Sequence, residues 1–286
     1  MLKKLAYVFY QLILLLDYIF KKINKKYFSK YIYDLLRESF ETTHINGKLV
    51  KFFTPSSTSL FRVQGLFSKE PETINWIDRF KKNEEIIFWD IGANIGLYSI
   101  YAALKHEKIK IIAFEPSTKN LNLLSRNIDI NHLSEKIIIG QLALTSKSNQ
   151  IQLMSEKSVV EASASNSFGV SYGFDGKEFT KASKYKLMGD SIDNLLNKNF
   201  LEIPDYIKID VDGIEHLILE GAQENLADKK IKSIIIEVQE DLTEQTEKII
   251  NFLKKSNFHL SNKHRDLRHE SKSKFSNQYM YIFDKK

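Results

Sequence analysis

The sequence predicts an open, doubly wound α/β sheet, and three observations carry that prediction. From about Ile86 onward, short apolar runs alternate with helix-like stretches. The runs are apolar on both faces, which suits parallel strands covered by helices on each side. A glycine loop stands between the first run and the first helix of the alternation. Right-handed crossovers then place every strand-to-helix loop on one edge, the edge where such sheets bind ligands.

The elements follow in order. Residues 1–30 hold Lys3, Lys4, Lys21, Lys22, Lys25, Lys26 and Lys30 against a lone Asp17, so they carry the whole net charge of +6. The rest of the 286-residue chain is neutral. A nucleic-acid binder would carry its basic excess on the folded body, so no nucleic-acid partner is expected. Within this segment, Leu5 to Phe20 is apolar except at Gln11 and Asp17. It is shorter than the roughly 20 residues a spanning helix needs. It ends in Phe20-Lys21-Lys22, not in the small residues of a signal-peptide cleavage site. Three readings stand: a helix lying on an anionic membrane surface, a helix docked on the body or a second subunit, and a spanning helix. The flanking lysines and tyrosines suit the first.

Residues 31–85 contain turn-like TPSSTS and helix-like ETINWIDRF and lead into the core. Strands are expected at Ile86–Trp89, Lys110–Phe114, Lys136–Ile139, Ile207–Val211 and Ser233–Val238. Helices are expected at Leu97–Leu104, Lys119–Asn131, Ser191–Asn197, Ile214–Leu226 and Glu244–Ser256. Phe258–Ser261 and Tyr279–Phe283 read as a closing hairpin. Residues 155–189, rich in Ser, Gly, Lys and Asn, are long for a plain connection and read as a functional loop or lid. The absence of Cys excludes disulfides, thiolate zinc sites and cysteine nucleophiles. It fits a cytoplasmic protein, placed at the inner face of the membrane if residues 1–30 bind there.

The strongest local signal is Asp90-Ile91-Gly92-Ala93-Asn94-Ile95-Gly96. Glycines let the backbone turn tightly and approach a ligand. The spacing is neither the phosphate-binding GxGxxG nor a Walker loop. A carboxylate here would repel a pyrophosphate but would welcome the ammonium of S-adenosylmethionine. Asp90, Gly92, Asn94 and Gly96 are therefore assigned to the methionine part of that cofactor. Glu115, after the second strand, is assigned to the ribose hydroxyls. Gln141, after the third, is assigned to the adenine. A nicotinamide-dependent oxidoreductase is the first rival reading, and a non-catalytic binding module on the same fold is the second.

Four segments in order, DIGANIG, FEPS, IKIDVDGIE and IIIE, resemble the FkbM family of S-adenosylmethionine-dependent methyltransferases. Lys69-Glu70-Pro71-Glu72-Thr73 with Trp76, and Ser191-Ile192-Asp193-Asn194-Leu195, are similar to further family segments, so the likeness spans about residues 58–260. Asp212 stands where the family usually has Glu. The resemblance implies a Rossmann-like, seven-stranded methyltransferase sheet with an antiparallel last strand, formed by residues 86–286 behind an N-terminal helical extension. It also implies O-methylation of a small-molecule or glycan hydroxyl, as in a sugar of a glycan or glycolipid intermediate.

Strand alternation puts Lys208, Asp210 and Asp212 on one face. A lysine in a central strand needs a partner, and Asp210 and Glu237 are the expected ones. One reading of Lys208, Asp210 and Glu237 is an ion-pair network that only orders this edge. The catalytic reading has the network facing the transferred methyl, with Asp210 as the base. A third has Asp210, Asp212 and Glu237 ligating Mg2+, although no local spacing demands a metal. His216 is expected to begin a helix and point away. His259, His264 and His269, near Arg265 and Arg268, recur at a spacing that suits no zinc site.

Overall fold

The computed structural model describes residues 1–81, 84–164, 166–173, 175–179, 182–265 and 277–286. Helices α1 (Leu2–Asn24) and α2 (Phe28–Arg37) open the chain. Strands β1 (Phe40–Ile45) and β2 (Lys48–Phe53) follow, then α3 (Ser57–Gln64) and α4 (Pro71–Asp78). The alternation begins with β3 (Ile86–Ile91), α5 (Leu97–Lys105), β4 (Ile109–Phe114), α6 (Thr118–Ile130) and β5 (Ile137–Gly140). A small second sheet takes β6 (Ala143–Leu144), β7 (Gln150–Glu156), β8 (Asn166–Phe168) and β9 (Ser183–Asp190). The chain continues through α7 (Ile192–Asn197), β10 (Tyr206–Ile209), α8 (Glu215–Glu220), β11 (Ser233–Gln239) and α9 (Thr243–Lys255). It closes with β12 (Phe258–Arg265) and β13 (Gln278–Lys285).

The main sheet has seven strands in the order β12-β13-β11-β10-β3-β4-β5. β3, β4, β5, β10 and β11 run parallel, while β13 is antiparallel to both β11 and β12. This is the doubly wound sheet with an antiparallel last strand that the sequence predicts. The chain crosses from one half to the other between β3 and β10, so the switch-point crevice lies at their carboxyl ends. Every residue of β3 is buried. Ile86 and Phe88 enter one core, and Ile87, Trp89 and Ile91 the other. That is the two-sided burial that makes these strands read as continuous apolar runs.

Residues 40–80 are built into the first of these cores through Phe52, Val63, Leu66, Trp76, Ile77 and Phe80. Phe80 stacks on Tyr206 of β10 at 3.8 Å between ring centroids. The turn-like TPSSTS is the start of a helix instead: Ser56 and Ser59 form a reciprocal capping box for α3.

Three expectations are corrected in the second half. The strand expected to reach Val211 stops at Ile209, because the amides of Val211 and Gly213 turn to donate to Glu215 Oε1, each at 3.1 Å. Asp212 thus adopts a left-handed φ of 64° and leaves the alternation that should have aligned it with Lys208 and Asp210. The helix expected over Ile214–Leu226 ends at Glu220. Gly221 follows it, where a Cβ would lie 2.2 Å from the Thr145 carbonyl oxygen. The segment 155–189, expected as a functional loop or lid, carries among its described residues most of the small sheet, with β7 antiparallel to β8 and β9. His259 and His264 lie on β12, while Arg268 and His269 fall outside the described residues.

Candidate active site

The glycine loop is shaped by what crosses it. The amides of Gly92 and Ala93 both donate to the Phe114 carbonyl, at 3.0 and 2.9 Å, tying the loop to the end of β4. Gly92 has φ +86°, and a Cβ there would fall 1.8 Å from the Asp210 carbonyl oxygen. Only glycine lets the loop and the end of β10 touch. Asn94, with φ 53°, donates its amide to Glu115 Oε2 at 2.8 Å. Glu115 Oε1 accepts from the Ser117 amide at 2.8 Å. Burial pushes this carboxyl up to about 7, although both amides pull it down.

A cavity opens at this edge. Gly92, Asn94, Glu115, Leu142, Ala143 and Asp210 contribute to its walls. The segment expected to act as a lid closes one side with Met154, Ser163, Asn166, Ser167 and Phe168. Three buried polar atoms in this lining, Asn94 Oδ1, Asn166 Oδ1 and Ser167 Oγ, have no protein hydrogen-bond partner. Buried groups of this kind are normally satisfied, so the cavity fits a polar ligand. S-adenosylmethionine, with ribose hydroxyls and an adenine, matches that demand.

A second chamber adjoins the first and shares Gly92, Asn94 and Asp210 with it. Its other walls include Arg62, Lys69, Glu70, Tyr98 and Lys208. Lys69 Nζ lies 2.6 Å from Glu70 Oε1. Burial opposes the charged form of Glu70, but Lys69 and Lys208 outweigh it and hold the carboxyl down at about 2. Arg62 donates its Nε to the Ala162 carbonyl, joining α3 to the lid segment.

Lys208 is 1% exposed and stands beside Asp90 in register across β10 and β3. Its Nζ is 2.9 Å from Asp210 Oδ2 and 3.8 Å from Asp90 Oδ1. Burial works against the ammonium, yet Asp210, Asp90 and Glu70 raise its pKa above lysine's ordinary value. Asp210 is thus a partner as expected. Glu237 is not: among the described residues Lys208's ion pairs go to Asp90 and Asp210. Glu237 lines a separate, small pocket with Glu215 and Gln239. Burial, reinforced by Asp210, Glu215 and Asp212, pushes its carboxyl well up from the ordinary range.

Two cofactor expectations also change. Asp90 is wholly buried, accepts from Ser99 Oγ at 2.6 Å, and lines neither chamber. It anchors Lys208, which leaves the ammonium-binding role to other groups. Gln141 is exposed, and its neighbours Leu142, Ala143 and Leu144 face the cavity instead. Gly96 caps α5 with φ +85° and lines neither chamber, whereas Gly92, Asn94 and Glu115 do line the main cavity. Sequence reasoning gave no role to Glu215, the clamp of the 211–215 turn, nor to Asn166 and Ser167. A carboxylate two residues after Gly213 was the readable sign of the clamp. His216 is buried, which lowers its pKa to about 4, and its charged neighbours are Lys248 and Glu244 of α9. Among the described residues, no group of three or more His, Asp or Glu is arranged to hold a metal ion.

Residues 90–260 match the Methyltransferase FkbM domain, and the chain belongs to that family. It is 27% identical over 170 residues to Methyltransferase sdnD of Sordaria araneosa, across 53% of this chain and 65% of that protein, just under two thirds of its length. It is 25% identical to Hexuronic acid methyltransferase AglP of Haloferax volcanii, across 68% of this chain and 72% of that protein. The fold is similar to a solved Streptococcus mutans structure assigned to the SAM-dependent methyltransferases, with TM-score 0.50 and 11% identity over 86% of this chain and 55% of that one.

Proposed function

We propose that this protein transfers the methyl group of S-adenosylmethionine to a hydroxyl of a sugar in a glycan or glycolipid intermediate. The observation that carries the reading is the position of Asp210 on the wall shared by the two chambers, with Lys208 fixing its carboxylate. The name of the Haloferax volcanii relative, which acts on a hexuronic acid, supports a sugar acceptor.

When bound, the cofactor supplies a methyl group on positively charged sulfur. The chain's own groups would bind and orient it. Glu115 would accept the ribose hydroxyls, and Leu142 to Leu144 would flank the adenine. In the ion-lined chamber, Arg62 and Lys69 complement a carboxylate and Glu70 an ammonium, the two charges of an amino-acid end. Asp210 Oδ2 accepts from Lys208, and Oδ1 would take the proton of the acceptor hydroxyl.

The test is transfer of labelled methyl from S-adenosylmethionine to purified saccharides and to a fractionated cell-envelope extract. Asp210→Asn should lower kcat about 100-fold while leaving cofactor affinity within a few-fold. Tight NADH binding with no response to S-adenosylmethionine would overturn the cofactor assignment. Unchanged turnover in Asp210→Asn would overturn the base, and label found only outside saccharide fractions would overturn the acceptor class.

A further inference from the structure

The helical pair α1–α2 is unfinished as a piece of protein packing. Of all α1 residues only Asp17 is buried, and α2 buries none. Tyr7, Val8, Phe9, Leu12, Leu15 and Tyr18 are each more than half exposed on α1, as are Leu35 and Leu36 on α2. A contiguous apolar surface of this extent marks a partner. The pair is nonetheless a defined unit. Asp17 Oδ1 accepts from the Ser29 amide at 2.7 Å, and Phe20 stacks on Phe28 at 6.0 Å, which fixes the turn between the helices.

We infer that α1 and α2 form a hairpin that embeds in one leaflet of an anionic phospholipid membrane. Charge selects this occupant. Seven lysines against one aspartate in residues 1–30 complement acidic headgroups, whereas a second copy would bring the same lysines face to face. Lys22 lies over the Tyr18 ring at 4.3 Å and Lys21 over Tyr27 at 5.6 Å, the pairing of aromatic and cation found at headgroup depth. Length selects the depth. The 16-residue apolar run extends about 24 Å against a hydrocarbon layer of about 30 Å. Among the described residues, no helix is long and apolar enough to cross a membrane. Lysines at both ends of the run would hold the helix level in the headgroup layer. The inference does not depend on the identity of the methyl acceptor.

Vesicle flotation of the full chain tests it, with neutral phosphatidylcholine compared with phosphatidylcholine containing phosphatidylglycerol. Binding should favour the anionic vesicles and weaken as salt rises from about 0.1 to 0.5 M. Each lysine near such a surface contributes about fivefold to partitioning, so Lys21→Gln with Lys22→Gln should weaken binding about 25-fold. Phe9→Asp should abolish binding. Both variants change exposed groups, so the thermal unfolding of the body and its cofactor affinity should stay unchanged. Equal binding to neutral and anionic vesicles would overturn the inference, as would absence of binding. Retention through alkaline carbonate extraction would show a spanning helix instead. A dimer in vesicle-free solution that Phe9→Asp dissociates would show that a second copy covers the surface.

Discussion

Replacing Lys208 by Met removes the one positive charge between Asp90 and Asp210 while keeping the side chain's volume and apolar stem. Lys208 and Asp90 are each 1% exposed at the side chain, so water cannot take over the lost role. Breaking a buried pair in this way costs about 3–5 kcal/mol, because the carboxylates are left uncompensated. A domain of ordinary stability, about 5–15 kcal/mol, would lose a large fraction of it. The pH dependence adds a sign. Without the lysine, burial raises the pKa of Asp90 further above its unfolded value. A carboxyl raised in the folded state contributes full stability below its unfolded pKa and loses it as pH rises through the folded one. The deficit of Lys208→Met should therefore be largest near pH 7 and narrow toward pH 5. Urea unfolding read by tryptophan fluorescence measures it, since the chain's two tryptophans, Trp76 and Trp89, are both buried. Adding Asp90→Asn to Lys208→Met should restore more than about 1 kcal/mol of the loss. A cost below about 1 kcal/mol, or a deficit that does not narrow with acid, would refute the view that this lysine neutralises the sheet's acidic edge.

Glu115, with its carboxyl pushed up to about 7, should make cofactor affinity fall about tenfold per pH unit below that value and level off above it. Calorimetry between pH 5.5 and 8 reads this, and Glu115→Gln should bind weakly with a flat profile. Gly92→Ala should be worse than Gly96→Ala in thermal unfolding. The first places a Cβ against the Asp210 backbone carbonyl, while the second meets Leu124 Cδ1, a side-chain tip that can move. Equal or reversed costs would contradict the close approach of the glycine loop and β10. Ser99→Ala should destabilise the fold by about 1.5–3 kcal/mol in chemical denaturation, the range for a buried hydrogen bond to a charged group.

The doubly wound sheet was legible because strands buried on both faces must be mostly apolar, and β3, β4, β10 and β11 are, broken chiefly by Asp90, Lys110, Lys208 and Glu237. The glycine loop was legible because Gly92 answers to a contact that no other residue permits. The hairpin of β1 and β2 was missed although its sign was present. Asn46 and Gly47 both take positive φ, the turn that Asn-Gly favours between paired strands. Strands β7 and β9 were missed although Gln150–Leu153 and Lys184–Leu187 alternate polar and apolar residues; the apolar Ile151 and Leu153 of β7 are exposed and join no core that would have announced a strand. At the site, Asp90 and Asp212 show the limit of counting along a strand. Residue type showed that carboxylates gather at this edge. Which one faces the cavity depended on an ion pair with Lys208 and on a turn clamped by Glu215, and both depend on neighbours in space.

The placement of β13 between β11 and β12 has a consequence for biosynthesis. β11 carries Ile234, Ile235 and Ile236, and one of its edges is satisfied only by β13, whose end lies 46 residues further along the chain. At about 5–20 residues per second, a ribosome leaves that edge open for roughly 2–9 seconds after β11 has emerged. An unpaired, isoleucine-rich edge is a template for pairing with another nascent chain. Synthesis rate between residues 239 and 285, more than the stability of the finished sheet, should then govern how much of this protein is recovered soluble from a cell that makes it in quantity.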